Sequence, residues 1–106
     1  MTPQEIAADI ARELRENAKC WTRGCLARNQ HGDGVDANSK HAVSWCLIGH
    51  IIKRTERSQG LVIGRFCPTL HAFLGECTTE MSLSAWNDSR RSVNSIIKLC
   101  EKVANS

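Results

Sequence analysis

Tyrosine does not occur in this chain of 106 residues, and three tryptophans with two phenylalanines make up its whole aromatic complement. That is thin material for a platform on which nucleic-acid bases could stack. Long apolar runs are missing too. The longest strongly apolar stretch, Ala42 to Ile52, is interrupted by Ser44 and His50 and is far too short to span a bilayer. The first residues, "MTPQEIAADIARELREN", carry both charge signs and no apolar core, so they do not read as a secretory signal. No membrane association and a cytoplasmic location are therefore expected. GxSxG, a phosphate loop, GxGxxG and HExxH are all absent, and so is a Cys-x-x-Cys knuckle. Neither an enzyme activity nor a cofactor is expected.

What is present suits one small domain over residues 1–106. Apolar residues at 42% and charged residues at 24% are ordinary for a soluble globular protein. Fourteen basic against eleven acidic side chains give a formal charge of +3. That is weaker than a dedicated nucleic-acid binder usually shows. Six cysteines (Cys20, Cys25, Cys46, Cys67, Cys77 and Cys100) would suggest a disulfide framework only in a secreted context. In a reducing compartment they are expected to stay free, with Cys46, Cys77 and Cys100 acting as small buried hydrophobes.

The periodicity predicts a mainly α fold, a small bundle of about four helices with at most a short β-hairpin. A first helix starts with Thr2 as cap, Pro3 at its first position and Glu5 completing a capping box. Ile6, Ile10 and Leu14 form its apolar stripe, and the face with Asp9, Arg12, Glu13 and Glu16 reads as solvated. A short strand fits Cys25 to Arg28, and "QHGDGVDANS" reads as loop. Asp33, Asp36 and Asn38 in that loop do not make a calcium site, because Ser44 stands where the loop would need its glutamate. A second helix is expected from about Lys40 to Arg54, the most buried one, capped by Asn38 or Ser39. Gly49 inside it costs about 1 kcal/mol relative to alanine, and a close backbone neighbour, such as the last helix, would compensate. A shorter helix fits Pro68 to Gly75 with Leu70, Phe73 and Leu74 inward, and a last one follows Ser92 with Val93, Ile96, Ile97, Cys100, Val103 and Ala104.

Three constellations could carry chemistry. Cys46 with His50 and Cys67 with His71 repeat a Cys-x-x-x-His spacing, and together they would make a tetrahedral zinc set. A core histidine and free thiols explain the same residues without metal. The same atoms would serve as a nucleophile and base only with an activated thiolate and an orienting third group. The basic residues Lys53, Arg54, Arg57, Arg65, Arg90, Arg91, Lys98 and Lys102 could form an anion-attracting edge if two helix ends adjoin. Only Phe66 and Trp86 lie near them in sequence. Arg54, Arg57, Arg90 and Arg91 are the candidates for partner binding. Finally, "SAWNDSRRSVNSII" puts Trp86, Asn87, Asp88 and two arginines before the last helix. It reads as a corner: Trp86 plugs the bundle, Asn87 and Asp88 satisfy loop N–H groups, Arg90 or Arg91 pairs with Asp88, and Ser92 caps.

"AVSWCLIGH" and "SLSAWNDSRRSVNSII" together resemble an uncharacterised family of small bacterial and phage proteins with a Trp-Cys-x-x-Gly helix and a Trp-Asn-Asp turn. The resemblance covers about residues 20–104 and rests on Trp45, Cys46, Gly49, Trp86, Asn87, Asp88 and Val93. It departs at His50, where a small residue is usual, and "ERSQGLVIGRFCPTLH" has no counterpart. The family implies no activity and transfers no site residues. In size and character the chain is similar in type to phage anti-CRISPR inhibitors. The expected function is therefore that of a non-enzymatic protein that binds a host protein, with a CRISPR-associated protein as the candidate partner. Alternatives are a nucleic-acid-binding or regulatory protein using the basic edge, and then a metal-binding protein using the Cys/His pairs.

Overall fold

A computed structural model describes residues 2–55, 68–77 and 82–106. Among them are five α-helices: α1 (Pro3–Glu16), α2 (Leu47–Thr55), α3 (Pro68–Cys77), α4 (Leu83–Ser89) and α5 (Val93–Ala104). Three two-residue strands, β1 (Ala27–Arg28), β2 (Gly34–Val35) and β3 (Ser44–Trp45), form a sheet in the order β2-β1-β3. Both pairings are antiparallel, with Ala27 opposite Val35 on one side and Trp45 on the other. The fold is mainly α with a small sheet, as the periodicity predicts.

The first helix starts as its sequence dictates. Thr2 Oγ1 accepts from Glu5 N–H at 3.1 Å, and Glu5 Oε1 accepts from Thr2 N–H at 3.1 Å. This capping box satisfies two donors that the helix itself cannot. Ile6, Ala7, Ile10, Ala11 and Leu14 are buried. They pack chiefly along α5, whose buried face is Ile96, Ile97, Leu99, Cys100 and Val103. Ser92 caps α5, its hydroxyl accepting from Asn94 N–H at 3.1 Å. Phe73 from α3 and Leu83 from α4 fill the same core with Leu47, Ile51 and Ile52 from α2. The side chains of Leu70 and Cys77 lie outside the described residues.

Two expectations are corrected. The second helix begins at Leu47, seven residues later than about Lys40. The preceding backbone is spent on the sheet: Val43 N–H donates to Arg28 O (2.8 Å), Cys46 N–H to Leu26 O (3.1 Å), and Thr22 N–H to Trp45 O (3.1 Å). Cys46 then caps the helix, its sulfur accepting from Gly49 N–H at 3.4 Å. The loop after β1 also holds a strand, β2, whose Gly34 and Val35 pair back onto Arg28 and Ala27.

Gly49 has a close backbone neighbour, though not the last helix. A Cβ at this position would stand 2.1 Å from Leu26 O and 3.2 Å from the Trp45 Cβ. The missing side chain lets α2 rest directly on the backbone leading into β1.

Candidate functional site

Two polar assemblies hold α2 and α4 in place, and each uses residues that the sequence reading singled out.

The first lies between α1 and the C-terminal half of α2. Arg54 has a side chain only 6% exposed, and its guanidinium donates from Nε to Asp9 Oδ2 at 2.7 Å. Its Nη2 pairs with Glu13 Oε2. Its Nη1 donates to both the carbonyl and Nδ1 of His50, each at 3.1 Å. Lys53 completes the group, with Nζ 2.8 Å from Glu13 Oε1 and 3.8 Å from the centre of the Trp45 ring. His50 itself is fully buried, and its Nε2–H donates to Cys20 O at 3.0 Å. The ring is therefore neutral. Burial pushes its pKa down to about 4, and the neighbouring Arg54 charge acts in the same direction. Hydrogen bonds from Arg12 and then Arg54 hold the Asp9 carboxyl below the usual carboxylate range. Partial burial pushes Glu13 upward, but the Lys53 hydrogen bond and the Arg54 charge outweigh it and lower its pKa. Asp9 and Glu13, expected on a solvated face, are thus half-buried partners of α2.

The second assembly centres on Asn87, whose side chain is wholly buried. Its Oδ1 accepts from Trp21 Nε1 (2.8 Å) and from Leu47 N–H (3.1 Å), the first free donor of α2. Its Nδ2 donates to Thr22 O and to Asp88 Oδ1, both at 3.2 Å. Asp88 Oδ1 also accepts from Gly24 N–H at 2.9 Å. One amide thus ties α4, the start of α2 and residues 21–22 together, and Asp88 extends the tie to Gly24. Asn87 and Asp88 satisfy loop and helix donors as expected, but Asn87, not Trp86, is the plug. Trp86 is only partly buried. Arg90 does not pair with Asp88 in the expected way: its guanidinium lies over the Trp86 ring, 5.1 Å from the centre, and donates to Ser89 Oγ.

A face follows from this corner. Arg23 lies over the Trp21 ring at 5.9 Å, and its Nη1 donates to Arg90 O at 2.7 Å. Arg28 braces the strand behind it, reaching Thr22 Oγ1, Gly32 O and Arg23 O. Two half-buried indoles, each under a guanidinium, are thus tied to one corner through the Trp21–Asn87 and Arg23–Arg90 hydrogen bonds, with exposed Arg91 next in sequence. Nothing in the spacing of Trp21 and Arg23 from Trp86 and Arg90, more than sixty residues on, announces this meeting.

The other predicted site residues are dispersed. Arg54 is turned into the fold, unlike a residue poised for a partner. Arg57, Arg65, Phe66 and Cys67 lie outside the described residues, as does most of the unmatched "ERSQGLVIGRFCPTLH" segment. His71 is exposed on α3. Both ring nitrogens of His50 are engaged within the fold, and burial raises the Cys46 thiol pKa. Among the described residues no group of three or more His, Cys, Asp or Glu side chains is placed to hold a metal ion. Cys20, Cys25, Cys46 and Cys100 are free thiols, and burial pushes Cys100 up to about 12. No helix among the described residues is long and apolar enough to cross a membrane.

Compared with known proteins, the chain matches a family of unknown function, DUF6197, over residues 1–106. The protein belongs to that family. An uncharacterised family is what the Trp-Cys-x-x-Gly and Trp-Asn-Asp stretches imply. No curated protein and no solved structure matches the chain.

Proposed function

We propose that the protein is a non-enzymatic binding protein whose partner is another protein, contacted through the face made by Trp21, Arg23, Trp86 and Arg90, with Arg91 at its margin. The observation that carries this reading is the pairing of each half-buried indole with a guanidinium on one surface anchored by Asn87. Tryptophan and arginine dominate the energetics of protein interfaces, most effectively where they are held rigid before binding. The same face suits single-stranded nucleic acid less well, because the guanidiniums lie over the rings on which bases would stack. The non-enzymatic part of the reading is supported by the Cys46 and His50 environments. A nucleophilic pair needs a depressed thiol pKa and a free imidazole nitrogen, and here the first is raised and the second engaged.

For the partner, a host defence protein of the CRISPR-associated kind remains the proposal, with a phage or prophage gene as its source. It rests on similarity of size and character to anti-CRISPR inhibitors. Binding to duplex and single-stranded DNA across a salt series is the test that separates the two partner classes. Phosphate contacts make nucleic-acid affinity fall steeply with salt. A protein complex that survives nuclease treatment, with no salt-sensitive DNA shift at micromolar protein, supports the proposal. A tight DNA shift with a steep salt slope and no surviving protein complex overturns it.

A further inference from the structure

One end of the sheet carries a feature that the indole–guanidinium face does not use. The turn after β1, residues 29–32, and the segment before β3, residues 39–43, flank a depression of about 440 Å³ lined by Asn29, Gln30, His31, Lys40, His41 and Val43. The Val43 N–H bond to Arg28 O at 2.8 Å draws the second segment against β1.

Both walls are fixed by their own hydrogen bonds. Asn29 Oδ1 accepts from the N–H groups of His31 (2.9 Å) and Asp33 (3.1 Å), and Gly32 N–H donates to Asn29 O at 3.0 Å. Gly32 takes φ +85°, a conformation that keeps this turn tight and that other residues rarely adopt. Across the depression, Ser39 accepts twice, from His41 N–H at its hydroxyl (3.1 Å) and from Ala42 N–H at its carbonyl (3.2 Å). The backbone that presents the lining side chains is therefore set before any ligand arrives.

The chemistry of the lining is one-sided. It offers an ammonium, two imidazoles and two carboxamides, and no carboxylate lines it. His31, Lys40 and His41 are exposed, and Val43, half exposed, is the large apolar side chain most open to solvent among the described residues. A metal ion would meet the Lys40 charge with no acid to offset it. An oxyanion would meet one cation and several N–H donors.

We propose that this depression binds an oxyanion, with Lys40 supplying the charge, His31 and His41 donating from opposite walls, and Val43 covering its apolar side. The ligand group is a phosphate monoester or a carboxylate, and this site is independent of the indole–guanidinium face. The test is an amide-resolved NMR titration of the full chain with inorganic phosphate and, separately, with acetate at matched ionic strength. Saturable shifts confined to residues 29–33 and 39–43 are expected, and the anion that saturates first identifies the source. Lys40→Met should weaken that titration about tenfold, the loss of one charge-assisted hydrogen bond. His31→Gln with His41→Gln should also weaken it, and both variants should leave the helical signal unchanged. Shifts at neither segment with either anion would overturn the proposal. So would shifts concentrated at Arg23, Arg90 and Arg91, or an unchanged titration in both variants.

Discussion

Arg54 Nη1 stands 3.1 Å from His50 Nδ1, a guanidinium donating into the ring of a histidine that has no exposed surface. The other ring nitrogen carries the proton and gives it to Cys20 O. A second proton on this ring would set two donors against each other in a site shielded from water. The fold therefore selects neutral His50, and stability depends on pH.

The direction follows from linkage. The folded pKa, about 4, lies below the 6.5 of a free imidazole, so between these values the unfolded chain binds more protons. The His50 contribution is complete above pH 6.5 and is lost as pH falls toward 4. Its size is on the order of 3 kcal/mol. Asp9 and Glu13, with lowered pKa values, add a loss of the same sign at still lower pH. Thermal melts should be nearly level from pH 7.5 to about 6.5 and fall from there to pH 4.5, and His50→Gln should flatten that fall. An equal slope in the variant would assign the pH dependence elsewhere.

Asn87→Ala should destabilise more than Trp86→Ala. The amide leaves the Trp21 indole N–H, the Leu47 N–H and the Thr22 carbonyl without their partner, at about 1 to 3 kcal/mol for each buried group left unsatisfied. Truncating the half-exposed Trp86 loses less, about 1 to 2 kcal/mol of apolar burial. Denaturant unfolding of both variants checks the order. A larger loss for Trp86→Ala would return the indole to the role of plug.

Gly49→Ala tests the contact between α2 and the backbone before β1. Alanine would gain about 1 kcal/mol of helix propensity. Against that, its Cβ would press on Leu26 O from 2.1 Å, and neither backbone can yield cheaply. A lower Tm is expected. An unchanged or higher Tm would mean that the two backbones separate freely.

These residues also mark how far the sequence could be read. The first and last helices were legible because their signals are local: Thr2 with Glu5, Ser92 as cap, and apolar residues at spacings of three and four. The start of α2 was not, because Cys46 caps it with a sulfur and Asn87 supplies an acceptor from forty residues away. Strands of two residues exist only through their partners, so "QHGDGVDANS" reads as loop although Gly34 and Val35 are paired. Asp9 and Glu13 read as solvated for the same reason, since their cations sit on another helix. Of the proposed binding face, Trp86, Arg90 and Arg91 are visible as a cluster in sequence. Trp21 and Arg23 are not, because hydrogen bonds to Asn87 and Arg90, more than sixty residues on, bring them there.

Partner capture by two charge-reversal variants tests whether the indole–guanidinium face binds the partner. One carries Arg23→Glu with Arg90→Glu on the indole–guanidinium face; the other carries Lys98→Glu with Lys102→Glu on the exposed side of α5. Each is compared with the wild type for Tm and for recovery of the protein complex from nuclease-treated host lysate. The first variant loses two exposed cation–π pairs at about 0.5 to 1 kcal/mol each, so it should stay folded with a Tm lower by roughly 5 to 15 °C, and the second should melt close to the wild type. The first variant should lose the complex and the second should keep it. Retention of the complex by the first variant, or its loss from the second alone, would contradict the assignment of the binding face.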